Sequence, residues 1–345
     1  MSDLDKINIY VPEETARILE SDAEMFEFFK KDGRTVNRNR FLNALLNGYD
    51  AQYSAEYRRT YEAILTQLDS PGLSQNEKER LADRIQKEVF LPPVRRRKGK
   101  HPPKFSLKPT NITENIILRI RQDAATRDYL SQYLCRMLMS YAQKSFPERE
   151  QILFRETYDF LREACAARRP VLFSTTLNKT AIHEVVPYAL ATGKEEMFNY
   201  LVCQETQEPG ALPHARSYRL CRIVAPAYSS HSLSLTDNNI RCMDRMISQG
   251  PQYVIRKEEE SCVRLTEQGV KTYTLIYYGR PKYDRIEKHG DCYDYYFSAS
   301  PEQLFLYFRR FPVDDAIVIR PVRLRKSILS FHQGVVSAYN RYFRS

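Results

Sequence analysis

A short strand pattern near the start of the chain, KINIYVP at residues 6–12, sets the first condition on the fold. Apolar Ile7, Ile9 and Val11 alternate with more polar residues, and a proline closes the run. This is the pattern of a half-buried β-strand. Because a single strand leaves a row of unpaired backbone groups, it must find a partner edge. The sequence therefore requires a second strand, in this chain or in another molecule.

A second segment with the same pattern, KFSLKP at residues 104–109, is the candidate partner. Phe105 and Leu107 alternate with polar residues, and a proline again follows. Two helical patterns follow each strand, at residues 13–31 and 35–48 after the first and at 111–127 and 128–144 after the second, with further helices predicted at 55–68 and 74–90. We therefore predict two tandem units whose strands pair antiparallel within one chain.

The predicted pairing gives this two-stranded ribbon an apolar face and a polar face, because side chains alternate along a strand. The buried residues would be Ile7, Ile9, Phe105 and Leu107, and the displayed residues would be Lys6, Asn8, Tyr10, Lys104, Ser106 and Lys108. Lysine is a point charge suited to phosphate, and asparagine can read a base edge. The candidate nucleic-acid contacts of the ribbon are therefore Lys6, Asn8, Lys104 and Lys108.

The order strand, helix, turn and helix, with GRTVNRNRF at residues 33–41 opening the second helix, resembles the ribbon-helix-helix family. That family pairs two strands from two copies into a ribbon that enters the DNA major groove. The alternative is that residues 6–12 form a strand of some larger sheet.

The net charge of +10 and the pI of about 9.1 favour a polyanionic partner, although 43 acidic residues make the excess a local feature. Much of it lies in LPPVRRRKGKHPPK, residues 91–104. Such a run is either a solvated linker or a nucleic-acid contact beside the ribbon, and the sequence leaves both open.

Enzyme and metal motifs are absent from the sequence. It has no HExxH, GxSxG or Walker-type pattern, and its 11 glycines leave little scope for a phosphate-binding loop. The seven cysteines are widely spaced, without a CxxC pair. We expect no enzymatic activity, no metal and no cofactor. No apolar run reaches the length of a membrane span, and the acidic start is unlike a signal peptide, so we expect a cytoplasmic protein without a membrane partner.

From residue 169 the pattern changes to short strands separated by polar segments, which predicts a small barrel. The stretches VVPYAL, NYLVCQ and RSYRLCRI, at residues 185–190, 199–204 and 216–223, resemble the WYL domain. This is a small Sm-like β-barrel found in bacterial regulators and CRISPR-associated proteins. Asn199, Tyr200 and Leu201 stand where the family has Trp-Tyr-Leu, and Cys221 replaces an aspartate.

In the WYL family, arginines and polar residues line a pocket that binds nucleic acid or nucleotide-like ligands. The resemblance carries this role to Tyr200, Arg219 and Arg222, and further to His183, Tyr188 and Arg216. A strictly alternating strand puts Arg219 and Arg222 on opposite faces, so either the strand ends between them or only one lines the pocket. The other interpretation is core packing for the tyrosines and surface salt bridges for the arginines.

The last hundred residues predict a β-β-α-β-α domain. The predicted elements are strands at KTYTLIYY (271–278) and DCYDYYFSAS (291–300), a helix at 300–311 capped by Ser300, a buried strand at 315–321 and a terminal helix at 322–343. This domain is similar to the extension that follows the barrel in many WYL proteins and often mediates dimerisation. A nucleic-acid surface of exposed tyrosines is the alternative.

The whole chain thus predicts an α+β fold with four parts. These are a ribbon-helix-helix-like domain at 1–145, a connecting helix at 146–168, a WYL barrel at 169–230 and a C-terminal α/β dimerisation domain at 231–345. The combination resembles the WYL-domain accessory proteins encoded beside type VI-D CRISPR systems. It implies a homodimer that binds single-stranded RNA and enhances the RNA-guided ribonuclease. The alternative is a transcriptional regulator that reads duplex DNA with its ribbon and senses a ligand with its WYL domain.

Overall fold

The computed structural model of the chain describes residues 6–69, 72–86, 88, 102–122, 130–206, 212–255, 260–312 and 314–343. The basic run predicted at 91–104 lies mostly outside the described residues. The fold divides into two compact units, residues 1–156 and 157–345. None of the described helices is both long and apolar enough to cross a membrane.

The first unit is mainly helical, with one two-stranded sheet. Its elements are β1 Ile7–Tyr10, α1 Glu13–Met25, α2 Arg38–Gln67, α3 Gln75–Ile85, β2 Lys104–Leu107, α4 Asn111–Gln122, α5 Leu130–Ala142 and α6 Phe146–Leu153, and α7 Arg155–Ala167 spans the boundary to the second unit. Strands β1 and β2 pair antiparallel, which confirms the predicted pairing within one chain. Strand β1 packs against α5 and β2 against α2, so each strand is covered by a helix that follows the other strand.

The register of the ribbon places its apolar residues inward as the alternation predicted. Ile7 lies opposite Leu107 and Ile9 opposite Phe105; Ile7 is half-buried and the other three are buried. Pairing of the strands leaves Asn8 opposite Ser106 and Tyr10 opposite Lys104 on the outer face. The ribbon is therefore sealed on one side by the helices and open on the other.

Helix α2 differs from its prediction, because it continues through Gly48, where the sequence indicated an end. A Cβ atom at this position would lie 1.8 Å from the carbonyl oxygen of Ile152 in α6. The glycine is thus required by the close approach of two helices and does not mark a terminus.

The single connecting helix predicted over 146–168 is also wrong, since the chain forms α6 and α7 with a break at Phe154. Phe154 leaves the helical conformation, with φ −116° and ψ 34°. Its ring lies 6.3 Å from that of Phe26 and 5.7 Å from that of Phe28. The break is therefore accompanied by packing of the Phe154 ring against Phe26 and Phe28 within the first unit.

The second unit contains two antiparallel sheets. The first has the strands β3 Val171–Thr175, β4 His183–Thr192, β5 Asn199–Glu205, β6 His214–Arg219 and β7 Ile223–Tyr228, in the order β6-β5-β4-β3-β7. Helix α8, Asp237–Gln249, packs on one face of this sheet through Met243 and Met246 against Val202 and Ala215.

The predicted barrel is not closed in the described residues, because the end strands β6 and β7 do not pair with each other. A closed barrel needs that last pairing to remove both edges. Here β6 ends at Arg219, and a short 3-10 helix, Leu220–Arg222, carries the chain to β7, which pairs with β3 at the far side of the sheet. The result is an open five-stranded sheet.

The C-terminal sheet follows. Its elements are β8 Ser261–Leu265, α9 Glu267–Leu275, β9 Arg285–His289, β10 Cys292–Phe297, α10 Pro301–Phe308, β11 Ala316–Arg320 and α11 Val322–Phe343, and the strand order is β11-β8-β10-β9. A buried aromatic cluster lies between one face of the sheet and helices α9 and α10, and includes Tyr273, Tyr295, Phe297 and Tyr307. The Ser300 cap predicted for α10 is present, since its hydroxyl accepts from Gln303 N at 3.1 Å.

Two predictions for this region fail. Residues 271–275 of the predicted strand KTYTLIYY belong to α9, because Thr266 caps a helix by accepting from Gly269 N at 3.0 Å. The strand β11 is only partly buried, since Val318 faces the core while Ile317 and Ile319 are exposed at the edge of the sheet. The tyrosine-rich composition of this segment thus did not outweigh the capping signal.

Candidate nucleic-acid interface

The outer face of the ribbon brings together all four candidate residues of the first unit. Lys6, Asn8, Lys104 and Lys108 are exposed, and the tyrosine that lies among them, Tyr10, is 44% exposed. The hydroxyl of Ser106 donates to Asn8 Oδ1 at 2.9 Å, directly across the two strands. The six displayed residues include three lysines and no carboxylate, so the face is positively charged.

The start of α2 fixes the end of the ribbon. Asn39 Oδ1 accepts from the backbone N of Lys108 at 2.7 Å, and the buried Asn43 donates to the Lys108 carbonyl at 3.1 Å. Arg38 lies 5.9 Å from the ring centre of Phe105 and pairs with Glu20. These contacts were missed from the sequence, where the segment 33–41 was read only as a helix start. A polar residue one turn into an apolar helix stripe, as Asn43 is, was the available signal.

In the second unit, Tyr200 and Arg219 lie opposite each other on β5 and β6. The Tyr200 hydroxyl donates to Glu196 Oε2 at 2.7 Å and accepts from Arg219 Nε at 3.2 Å. Arg219 also pairs with Glu196 at 2.7 Å and lies 4.2 Å from the ring centre of Phe198. Tyr200 is only 4% exposed, and burial raises the pKa of its hydroxyl, so the ring supports Arg219 from the interior and is not presented for stacking on a base.

A second polar group surrounds Glu205, whose side chain is almost fully buried. His183 Nδ1 lies 2.7 Å from Glu205 Oε1, and Arg216 Nε lies 3.2 Å from Oε2. The hydroxyl of Tyr218 is 3.1 Å from the same His183 nitrogen, and burial raises the pKa of this tyrosine. The group combines a carboxylate, an imidazole and a guanidinium, but its charges are largely paired within the chain.

The six WYL-type candidates do not form one pocket. Arg216 and Arg219 are three residues apart on one strand, so they point to opposite faces. His183 and Arg216 meet at Glu205 on one face. Tyr200 and Arg219 lie on the other face, which also carries Tyr188. Tyr188 packs beside α8 and donates to Asp244 Oδ1 at 2.6 Å. Arg222 belongs to the 3-10 helix. The sequence left two possibilities open for Arg219 and Arg222, and the structure shows the first of them: the strand ends between the two residues.

The arrangement predicts a modest structural role for the Tyr200 hydroxyl. We expect Tyr200→Phe to lower the free energy of unfolding of the second unit by about 1 kcal/mol, because Arg219 and Glu196 each lose one partly buried hydrogen bond. Tyr277→Phe, on an exposed ring, is the matched control and should leave stability unchanged. Urea denaturation followed by circular dichroism measures both. An unchanged midpoint for Tyr200→Phe would mean that these two bonds contribute nothing.

Comparison with known proteins gives a likeness in fold. No family model matches the sequence, and no curated protein matches it significantly. A solved structure described as a CRISPR Cas-related protein matches over 99% of this chain and 96% of that chain, with a TM-score of 0.65 and 18% sequence identity. Part of the proteasome accessory factor B/C (PafBC) of Arthrobacter aurescens matches 50% of this chain and 26% of that chain, with a TM-score of 0.21 and 16% identity. The chain thus shares its fold, end to end, with the CRISPR Cas-related protein.

Proposed function

We propose that this chain is a non-enzymatic accessory protein of a CRISPR system, which binds single-stranded RNA as a homodimer and enhances an RNA-guided ribonuclease of type VI-D. The observation that carries the proposal is the lysine-bearing outer face of the ribbon, whose inner face packs on helices α2 and α5. The CRISPR context is supported by the end-to-end likeness in fold to a protein described as CRISPR Cas-related.

Single-stranded RNA suits the ribbon because one ring lies among its cations. Tyr10 is opposite Lys104 in the register, so a base stacked on the exposed ring would place its phosphate near an ammonium group. Lysines neutralise phosphates without reading sequence. In the second unit, Arg216, Arg219 and the buried Tyr200 are held by carboxylates, so they make a smaller contribution in this proposal than the ribbon.

A transcriptional regulator that reads duplex DNA is the second candidate. An antiparallel two-stranded ribbon with a central asparagine is the feature that favours it, because such a ribbon fits the major groove and asparagine can pair with adenine. Against it, Asn8 is the single good base-edge reader among the six displayed residues, and its Oδ1 already accepts from Ser106.

The two candidates predict opposite preferences in a titration. The intact protein should bind single-stranded RNA more tightly than duplex DNA of equal length, and its affinity should fall steeply with salt. Replacing Lys6, Lys104 and Lys108 together by glutamine should reduce the slope of log affinity against log salt by about 0.7 for each lysine lost. Lys271→Gln, an exposed lysine on α9, is the control and should leave the slope unchanged. Fluorescence anisotropy with labelled oligonucleotides measures both.

Enhancement of the ribonuclease is measured separately, as the rate of target-RNA cleavage with and without the protein. The wild type should raise the rate, and the triple lysine variant should raise it less. Tight binding of a palindromic duplex with no binding of RNA would reverse the ranking of the two candidates.

A further inference from the structure

The edge strand β9 of the C-terminal sheet is exposed along its whole length. It pairs with β10 on one side, and no described strand pairs with its other side. Residues 284–289 are all exposed. An edge of this kind presents unpaired backbone groups that can hydrogen-bond to another strand.

The sequence of this edge, Asp284-Arg285-Ile286-Glu287-Lys288, is antisymmetric in charge about Ile286. If two copies of the strand run antiparallel with a two-fold axis at Ile286, Asp284 faces Lys288 of the second copy and Arg285 faces Glu287 of the second copy. Every charged residue then lies opposite a residue of the other sign. Opposite charges stabilise directly facing pairs on a sheet, and like charges destabilise them.

We infer that β9 is the contact strand between two copies of this chain, paired antiparallel about Ile286 so that the two four-stranded sheets join into one of eight strands. The inference deepens the homodimer of the proposed function by naming its interface, and it rests on that part of the proposal.

The alignment about Ile286 is specific, because the neighbouring alignments of the two strands place like charges opposite each other. In a two-fold pair of strands the side chains that face each other must be on the same side of the sheet, so the axis passes through a residue. An axis at Arg285 would place two guanidinium groups opposite each other, and an axis at Glu287 would do the same with two carboxylates. Charged residues on an edge strand ordinarily prevent pairing. Here they prevent every neighbouring alignment and permit one.

Both faces of the sheet favour this contact. On one face, Arg285 pairs with Glu287 at 3.1 Å and with Glu260, and Glu287 accepts from the Tyr296 hydroxyl at 2.8 Å. Facing copies would join these groups into a ring in which arginine and glutamate alternate. On the other face, Ile286 lies opposite the buried Tyr295 and is 40% exposed. Its contact with Ile286 of the second copy would extend the aromatic core across the axis.

The test uses two complementary variants of the full chain. The acidic-edge variant carries Arg285→Glu and Lys288→Glu, and the basic-edge variant carries Asp284→Lys and Glu287→Lys. In each variant alone all four facing pairs become like-charged, so its dimer dissociation constant should rise about tenfold or more over the wild type. When the two variants are mixed, all four pairs are again opposite in charge, and a heterodimer should form. Lys271→Glu is the control and should dimerise as the wild type does.

Light scattering and analytical ultracentrifugation measure the assembly, and circular dichroism checks that each variant is folded. For the wild type, amide hydrogen exchange at residues 285–289 should slow as protein concentration rises, a readout that needs no variant. Dimers that persist equally in both variants, or a mixture that gives no heterodimer, would overturn the β9 contact and leave the homodimer standing on another surface, such as the exposed face of α11. A monomeric wild type would overturn both the contact and the homodimer, while RNA binding would be unaffected.

Discussion

Ile9→Asp is expected to unfold the first unit. Ile9 is 2% exposed, lies opposite Phe105 and sits under the helices that cover the ribbon. A carboxylate there would be buried against apolar side chains such as Phe105, and burial of a charge is among the most destabilising single changes, so we expect a loss of more than about 4 kcal/mol. Circular dichroism in urea, read together with limited proteolysis of the first unit, measures the effect.

The adjacent residue provides the matched control. Tyr10→Asp introduces the same carboxylate on the outer face, where solvent remains available, and should change stability by less than about 1 kcal/mol. It should, however, weaken RNA binding, since it removes the exposed ring and places a negative charge beside Lys104. If Ile9→Asp melted like the wild type, β1 would not be packed as described.

Arg149→Ala should be the second strongly destabilising change. Arg149 contacts Asp22 twice, with Nε to Oδ2 at 2.6 Å and Nη2 to Oδ1 at 3.1 Å, and the hydroxyl of Tyr141 donates to Oδ2 at 2.7 Å. The Asp22 side chain is 1% exposed. Removing the guanidinium leaves a buried carboxylate without its cation, which costs about 3–5 kcal/mol. Denaturant unfolding of the full chain measures this loss.

Two comparisons isolate the burial effect. Arg17→Ala breaks the exposed pair with Glu13, at 3.1 Å, and should cost less than about 1 kcal/mol. The double variant Asp22→Asn, Arg149→Met should recover part of the stability, because the asparagine oxygen can still accept from Tyr141 while no charge is buried. A double variant less stable than Arg149→Ala would show that the desolvated carboxylate is not the source of the loss.

The two faces of the ribbon could be predicted because the alternation of apolar and polar residues is a local pattern within each strand. Alternation in 6–12 and 104–109 sets which side chains share a face, and each run is closed by a proline. The displayed lysines followed directly, since a strand with one buried face must present the other. Ser300 at α10 is a similar case, because a cap acts over three residues.

The second unit could be predicted only in part. The stretches at 185–190 and 199–204 fall on β4 and β5, but the grouping of the WYL-type candidates was not predicted. A 3-10 helix separates Arg222 from β6, and Arg216 and Arg219 point to opposite faces of that strand. The tyrosine-rich run 271–278 indicated a strand, but the Thr266 cap makes its first part, residues 271–275, helical. Local patterns were in conflict there, and packing of Tyr273 in the aromatic core accompanies the helical outcome.

By itself the sequence determined the two amphipathic strands, the excess of positive charge on the face they display and the capped helices, since each depends on residues a few positions apart. Only the tertiary structure decided that α2 passes unbroken through Gly48, that the five-stranded sheet stays open, that Tyr200 is buried beneath Arg219 and that β9 is left at an edge. Each of these depends on groups far apart in the chain, such as the carbonyl of Ile152 against Gly48. Such contacts are set by the shape of the packed chain, which no local pattern of residues contains.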